Sequence, residues 1–285
     1  MALNKGSAWL EKQTNKFVKS LFSELEKKMK IIDGDYKAIE KDVLASVTSS
    51  LQEYSSNGEI TQPMLYQLRL MSVQQQLEAR LTKLGIKHDN LLNDILEKFH
   101  NKALQFQTDL LKHAEEFGLD MDFYKFSEEA VELASAYPYQ RYDFTVAFNK
   151  QTARVGRAIN EALTKSIVMG TSLPKLTKQI QEACDMGRFF ARRIASTETS
   201  RVYNTVAKTK MKDAGVSHVK WLDSTEALAR SKRKGKSPVC PTCRERATKN
   251  GGIYRINELP PLPAHPHCRC TIIYQSFESE QLSLF

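Results

Sequence analysis

Apolar residues recur at three- and four-residue steps through most of the first 135 positions, and that spacing admits little other than helix. Phe17, Leu21, Leu25 and Met29 fall four apart on one predicted face, and Ile39, Val43, Val47, Leu51 and Tyr54 continue a second stripe. The segment "SSNGEITQP" (55–63) interrupts the pattern with Asn-Gly and Pro, both turn signals. Leu65, Leu68, Leu77, Leu81 and Leu84 then resume it around a polar "QQQ", followed by Leu92, Ile95, Phe99, Ala103, Phe106 and Leu110. Gly118 is expected to cap that run. Ser127 is expected to open a short helix that ends before Pro138. Aromatic and methionine positions on these stripes read as core. His88, His100 and His113 lie apart and read as surface or core residues rather than ligands. Lysines and glutamates alternate between the stripes, as on solvated helix faces. The expectation for residues 1–138 is an elongated helical arm or bundle.

The texture changes after "AYPYQRYDF" (136–144). A long helix is predicted through "NKQTARVGRAINEALTKSIVMG", ending at Gly170. "TSLPKLTKQIQEA" restarts one, with Ser172 as N-cap and Pro174 in the tolerated first turn. A further helix is expected from about Asp185 to Ala214, stopped by Gly215. "VSHVKWL" alternates like a short strand, and "GGIYRI" and "TIIYQSF" are two more candidates. These signals predict a mainly α protein with a small α+β C-terminal module. A boundary near Pro138 separates the arm from a module over 139–276, and an acidic-apolar tail occupies 277–285.

Apolar residues make up 41% of the chain, enough for a packed core, so disorder is not the expectation. No run of eighteen apolar residues exists to cross a membrane. The opening "MALNKGSAWLEKQTNKF" lacks the apolar stretch of a secretory signal. Folding in a reducing cytoplasm is therefore expected, and there clustered cysteines suggest metal before disulfide.

Four of the five cysteines fall between positions 240 and 270. Cys240 and Cys243 form a Cys-x-x-Cys pair, Cys268 and Cys270 a Cys-x-Cys pair, and His265 and His267 flank the second. Tetrahedral zinc takes such a donor set, and a turn at Cys-x-x-Cys aims two sulfurs inward. "NGGIYRINELPPLP" has the character of a hairpin that brings the second pair back. On an extended strand Cys268 and Cys270 would point the same way about 7 Å apart, which is wide for one ion. Either the chain kinks there or a histidine supplies a ligand. Metal-free thiols, or a disulfide such as Cys240–Cys268 in an oxidising setting, are the alternatives. Cys184 stands alone on a helix and reads as core.

Two zinc enzymes can be tested on the sequence. A deaminase pairs Pro-Cys-x-x-Cys with an upstream His-x-Glu. Here Val239 precedes Cys240, and the His-x-Glu at His113–Glu115 sits on a helix assigned to the arm. A His-Asn-His nuclease needs metal-binding histidines on a following helix, and no histidine follows His267. Redox use of Cys-x-x-Cys lacks a surrounding βαβ pattern. No catalysis is expected.

The net charge of +9 permits contact with nucleic acid. Arg188, Arg192, Arg193 and Arg201, the neighbouring Lys208, Lys210 and Lys212, and the loop cations Lys232, Arg233, Lys234 and Lys236 are the candidates for phosphate contact with double-stranded DNA. The bland alternative is that they only solvate a helix and a loop.

Three pieces in fixed order resemble the phage Mu protein F-like minor head proteins, a family of phage head-morphogenesis proteins. The first is "ARRIASTETSRVYNTVAKTKMKDAGV" (191–216), in which Thr197, Glu198, Thr199 and Asn204 fit the family's helix. The second is "VKWLDS" (219–224), with Trp221 at the strand end. The third is "VCPTC", then "GGIY", then "HPHCRCTI", which includes Arg269. The resemblance covers about half of the chain. It implies a non-enzymatic component of the phage head, assembled in the host cytoplasm, few per head and associated with the portal protein and other head proteins. It also implies a part in head assembly or DNA delivery, with no membrane and no small-molecule substrate. Glu198 is expected to pair with Arg201 at i, i+3. Asn204, poor in mid-helix, is expected to bond the C-terminal module near His265, Arg269 and Trp221. The rivals are a zinc-stabilised DNA-binding protein and a toxin-type protein using the module as a delivery tag. For the second rival the short tail after "TIIY" leaves no expected room for a catalytic domain.

Overall fold

The computed structural model describes residues 5–56, 59–114, 144–169, 172–223 and 240–275. The expected caps at Gly118 and Ser127, the boundary near Pro138, the loop cations Lys232, Arg233, Lys234 and Lys236, and the tail 277–285 lie outside the described residues.

Five α-helices and five short strands are found among the described residues. Helix α1 (Lys5–Tyr54) leads through a two-residue hairpin, β1 (Ser55–Ser56) and β2 (Glu59–Ile60), into α2 (Pro63–Ala114). Ser55 pairs with Ile60 and Ser56 with Glu59, while the Asn-Gly pair lies outside the described residues. Thr61 N–H donates to Tyr54 O at 2.9 Å, satisfying a carbonyl at the end of α1. Pro63 opens α2 at a position where its missing N–H costs nothing.

The buried face of α1 runs through Leu10, Thr14, Val18, Leu21, Leu25, Met29, Ile32, Tyr36, Ile39, Val43 and Val47. Its steps alternate between three and four. A strict four-step stripe drifts around a 3.6-residue helix, so Phe17 is only half-buried and Val18 takes the core position. A larger correction falls on α2. Leu65 and Leu68, expected in the core, are 47% and 53% exposed, and Tyr66, Leu70 and Val73 point inward instead.

Helix α3 spans Thr145–Met169, and the stop expected at Gly170 lies outside the described residues. Helix α4 (Leu173–Asp213) is continuous where two helices were expected. Gly187 does not end a helix. A Cβ there would lie 2.5 Å from the Tyr36 ring, so the glycine permits close packing. The true end of α4 is a Schellman motif. Val216 N–H reaches Met211 O, Gly215 N–H reaches Lys212 O, and Gly215 has φ +71°.

Strands β3 (His218–Leu222), β4 (Ile253–Arg255) and β5 (Thr271–Tyr274) form one antiparallel sheet in the order β4-β3-β5. Val219 pairs with Tyr254 on one side and Tyr274 on the other, and Trp221 pairs with Ile272. Helix α5 (Pro241–Thr248) and a 3₁₀ turn (Lys249–Gly252) stand between β3 and β4. Every residue of β5 is buried.

The chain divides into two compact units. The first draws on Met1–Leu25, Asp94–Arg141 and Ile194–Phe285, and the second on Glu26–Asn93 and Tyr142–Arg193. In the first unit Phe17 stacks on Phe106 with centroids 4.0 Å apart. In the second, His88 packs between Tyr36 and Phe148, and its Nε2 lies 3.2 Å from Asp35 Oδ2. No helix among the described residues is long and apolar enough to cross a membrane.

Candidate metal centre

Five of the six sequence-predicted donors converge in the first unit. Cys240, Cys243 and His265 form one group, and Cys243, Cys268 and Cys270 another, with ligand atoms inside each group all within 4.8 Å of one another. Cys243 belongs to both. His267 belongs to neither. None of the five cysteines of the chain is in a disulfide, and Cys184 is buried away in α4 as a core residue.

Local structure explains the convergence. Cys240 is the N-cap of α5, and its sulfur accepts the Cys243 N–H at 3.4 Å. The Cys-x-x-Cys pair therefore sits on the first turn of a helix, with Pro241 at the first helical position, rather than in a free turn. Cys268 and Cys270 precede β5, and His267 has φ +63°. This left-handed residue supplies the kink that a straight strand lacks, and both sulfurs turn to the same place.

The donors suit a metal ion. A tetrahedral ion with metal–sulfur bonds of about 2.3 Å sets its sulfurs about 3.8 Å apart. Cys243 Sγ and Cys268 Sγ are 3.9 Å apart. His265 Nε2 lies 3.0 Å from Cys243 Sγ, and its Nδ1 is 2.8 Å from Pro266 O. A carbonyl only accepts, so Nδ1 carries a proton and Nε2 is the ring atom that faces the sulfurs. Metal-binding histidines are oriented in this way.

The protonation balance agrees. Hydrogen bonds from the Cys243 and Cys270 thiols, then from the backbone N–H groups of Cys270 and Ala264, hold Cys268 well below the ordinary thiol range. The same bonds to Cys268 and Cys270, together with burial, push Cys243 far above it.

The wall of the site is a small apolar cluster of Trp221, Cys243, Cys268 and Cys270, with Ala247, Tyr254, Leu259 and Leu262 packed on it. Trp221 is fully buried, edge-on to Tyr254 at 6.5 Å and capped by the Arg246 guanidinium at 5.3 Å. Arg246 also donates to Pro261 O at 3.0 Å. Tyr254 OH donates to Arg246 O at 2.7 Å. Asp223, with its side chain only 1% exposed, pairs with Arg244 at 2.9 Å and fastens the end of β3 to α5.

Helix α4 supports the site from outside. Asn204 Nδ2 is 3.0 Å from Cys270 O and 2.8 Å from Ser200 O. Thr197 Oγ1 accepts the His267 N–H at 3.1 Å and so holds the kinked residue. Glu198 and Arg201 pair at 2.8 Å on the surface of the same helix. Arg269 points away from the sulfurs and lies over the Phe22 ring at 4.7 Å. Sequence reading missed Arg246, Tyr254 and the Asp223–Arg244 pair, which carry no motif of their own. It also missed Tyr203, a buried residue whose hydroxyl takes a 3.0 Å bond from Gln107 Nε2.

The arginines proposed for DNA are otherwise engaged. Arg188 pairs with Asp185 and Glu40, and Arg192 with Glu26 and Asp33. Arg201 has Glu198 as its partner. Lys210, also expected on a basic surface, is buried, and burial lowers its pKa against the pull of Asp213. Arg193 remains exposed on α4.

Residues 157–273 match the family model described as phage Mu protein F like protein. This stretch is similar to the Mu F-like family. It runs from within α3 to β5 and contains α4, the sheet, α5 and every donor of the cluster. Helices α1 and α2 lie outside the match. No curated protein and no solved structure matches the chain.

Proposed function

We propose that the protein is a phage minor head protein that acts in head morphogenesis, docks at the portal vertex, and performs no catalysis. The observation that carries this reading is the Mu F-like match over 157–273, which encloses the whole Cys/His cluster. The cluster holds one structural zinc ion through four of its five converging donors, centred on Cys243. Zinc bound there ties α5 to the segment before β5 and closes a sheet too small to stand alone. The role of the chain's own residues is to orient those donors: Asn204 and Thr197 from α4, Pro266 O on His265, and the Trp221 wall around them.

Docking on protein is favoured over wrapping DNA. The large apolar side chains that are exposed among the described residues, Met64, Leu65, Leu68 and Met71 foremost, all belong to the second unit. Exposed apolar groups on one unit suit a protein partner. Three of the candidate arginines on α4, Arg188, Arg192 and Arg201, are paired with carboxylates. The loop cations Lys232, Arg233, Lys234 and Lys236 stay the candidates for contact with packaged DNA.

Quantitative mass spectrometry on purified particles tests the reading. A few copies per portal ring are expected. A chain abundant in lysate but absent from finished particles would overturn the minor head assignment. A salt-steep DNA affinity without portal affinity would favour the DNA-binding rival.

A further inference from the structure

We propose that Cys243 and Cys268 form a disulfide when the protein meets an oxidant, so that a covalent link replaces the metal as the fastener of the module. This inference rests on the reading above, in which the protein leaves a reducing cytoplasm inside a particle.

The geometry brings this pair within reach, with Cys270 as the competing sulfur in the same group. Cys243 Sγ and Cys268 Sγ are 3.9 Å apart, so each sulfur needs to move about 1 Å to reach a bond of about 2.05 Å. The two residues are 25 positions apart and come from different elements, α5 and the segment before β5. Their link would join the same two segments that the metal joins. A Cys240–Cys243 bond would stay within α5, and a Cys268–Cys270 bond within one short segment. Neither would hold the module closed. Cys243 and Cys268 are each 1% exposed, and the rigid wall of Trp221, Tyr254 and Leu262 limits other partners. The spare donor in the cluster also matters. With five donors for a four-coordinate ion, one ligand can leave before the metal is lost.

The oxidant is a peroxide. Peroxide takes two electrons from the pair, one S–S bond forms, and the O–O bond breaks to leave two waters. In the metal-free protein the two protons come from the thiols. With metal bound, two sulfur–metal bonds break, the ion is released, and solvent supplies the protons.

The test uses the full chain, purified without chelator, with zinc content and disulfide content measured before and after titration with hydrogen peroxide. Free thiols are blocked and the chain is mapped by trypsin without reduction. Cleavage at Arg269 separates Cys268 from Cys270, and a Cys240→Ser variant leaves Cys243 as the one cysteine of its peptide. The expected product joins the Cys243 peptide to the Cys268 peptide within one chain, in most molecules, with protease resistance of the module retained. A dominant Cys243–Cys270, Cys268–Cys270 or interchain link in either chain, or a dominant Cys240–Cys243 link in the unsubstituted chain, would overturn the proposal, as would complete zinc release without any disulfide. The outcome for zinc is separate: a chain that starts without zinc yet forms the Cys243–Cys268 link rejects the zinc reading and keeps this one.

Discussion

Gly252 shows how a single residue decides whether the module closes. Its φ is +78°, and a Cβ there would meet Ala247 O at 2.7 Å and Trp221 O at 3.2 Å. Both obstacles are backbone and cannot swing aside. Gly252→Ala should therefore cost about 3 kcal/mol, read by urea denaturation followed at Trp221. A loss below about 0.5 kcal/mol would mean that the turn relaxes. Asn204 makes a second point at this scale. It is buried, and its amide is the donor to Cys270 O. Asn204→Ala leaves that carbonyl short of a partner and should cost about 1–3 kcal/mol. Faster proteolysis between Ile256 and Gln275 is the expected sign, and unchanged protease resistance would count against a structural role for Asn204.

Among the elements, the helices were legible because burial on a long helix repeats. The three-to-four spacing located α1 and α2, the signals in 55–63 marked the break between them, and Gly215 marked the C-terminal end of α4. Two failures share one cause. The helix break expected before about Asp185 and the inward-facing Leu65 were read from local pattern, whereas the outcome is set by neighbours distant in sequence: the Tyr36 ring packed against Gly187 for one, open solvent for the other. The donors of the metal centre were legible by spacing. The kink at His267 and the carbonyl that orients His265 were not, because backbone angles leave no mark in composition. The histidine in the second unit gives a prediction at this scale. His88 lies on α2 against Asp35 of α1, with Lys87 also on Asp35 at 2.6 Å. Burial lowers its pKa, and Lys87 adds to that, while Asp35 opposes it. The unfolded chain then takes up the proton first, so stability is full above about pH 6.5 and falls as pH drops below it. His88→Gln should flatten this acid limb by up to about 1.4 kcal/mol per pH unit, measured by denaturant midpoints from pH 7.5 to 5. An unaltered slope would place the titration elsewhere.

For the whole molecule, the proposed metal and the helices would support different parts of the chain, and a chelator is the way to separate them. Most described residues are in α1 to α4, whose cores are apolar stripes independent of the cluster. The sheet has three short strands, and its central strand carries Trp221 into the wall of the metal centre. A strong zinc chelator should therefore leave the far-ultraviolet helical signal nearly unchanged while altering tryptophan emission. The chain has two tryptophans, Trp9 on α1 and Trp221, and Trp9→Phe leaves the fluorescence to Trp221 alone. The expected response is a red shift in emission with new protease sites confined to residues 240–275, both reversed by added zinc. Melting of the helices together with the sheet would show that the metal centre supports the entire chain. No change in emission after verified loss of zinc would show that the apolar wall holds the module without the ion, and the ion would then lose its structural role.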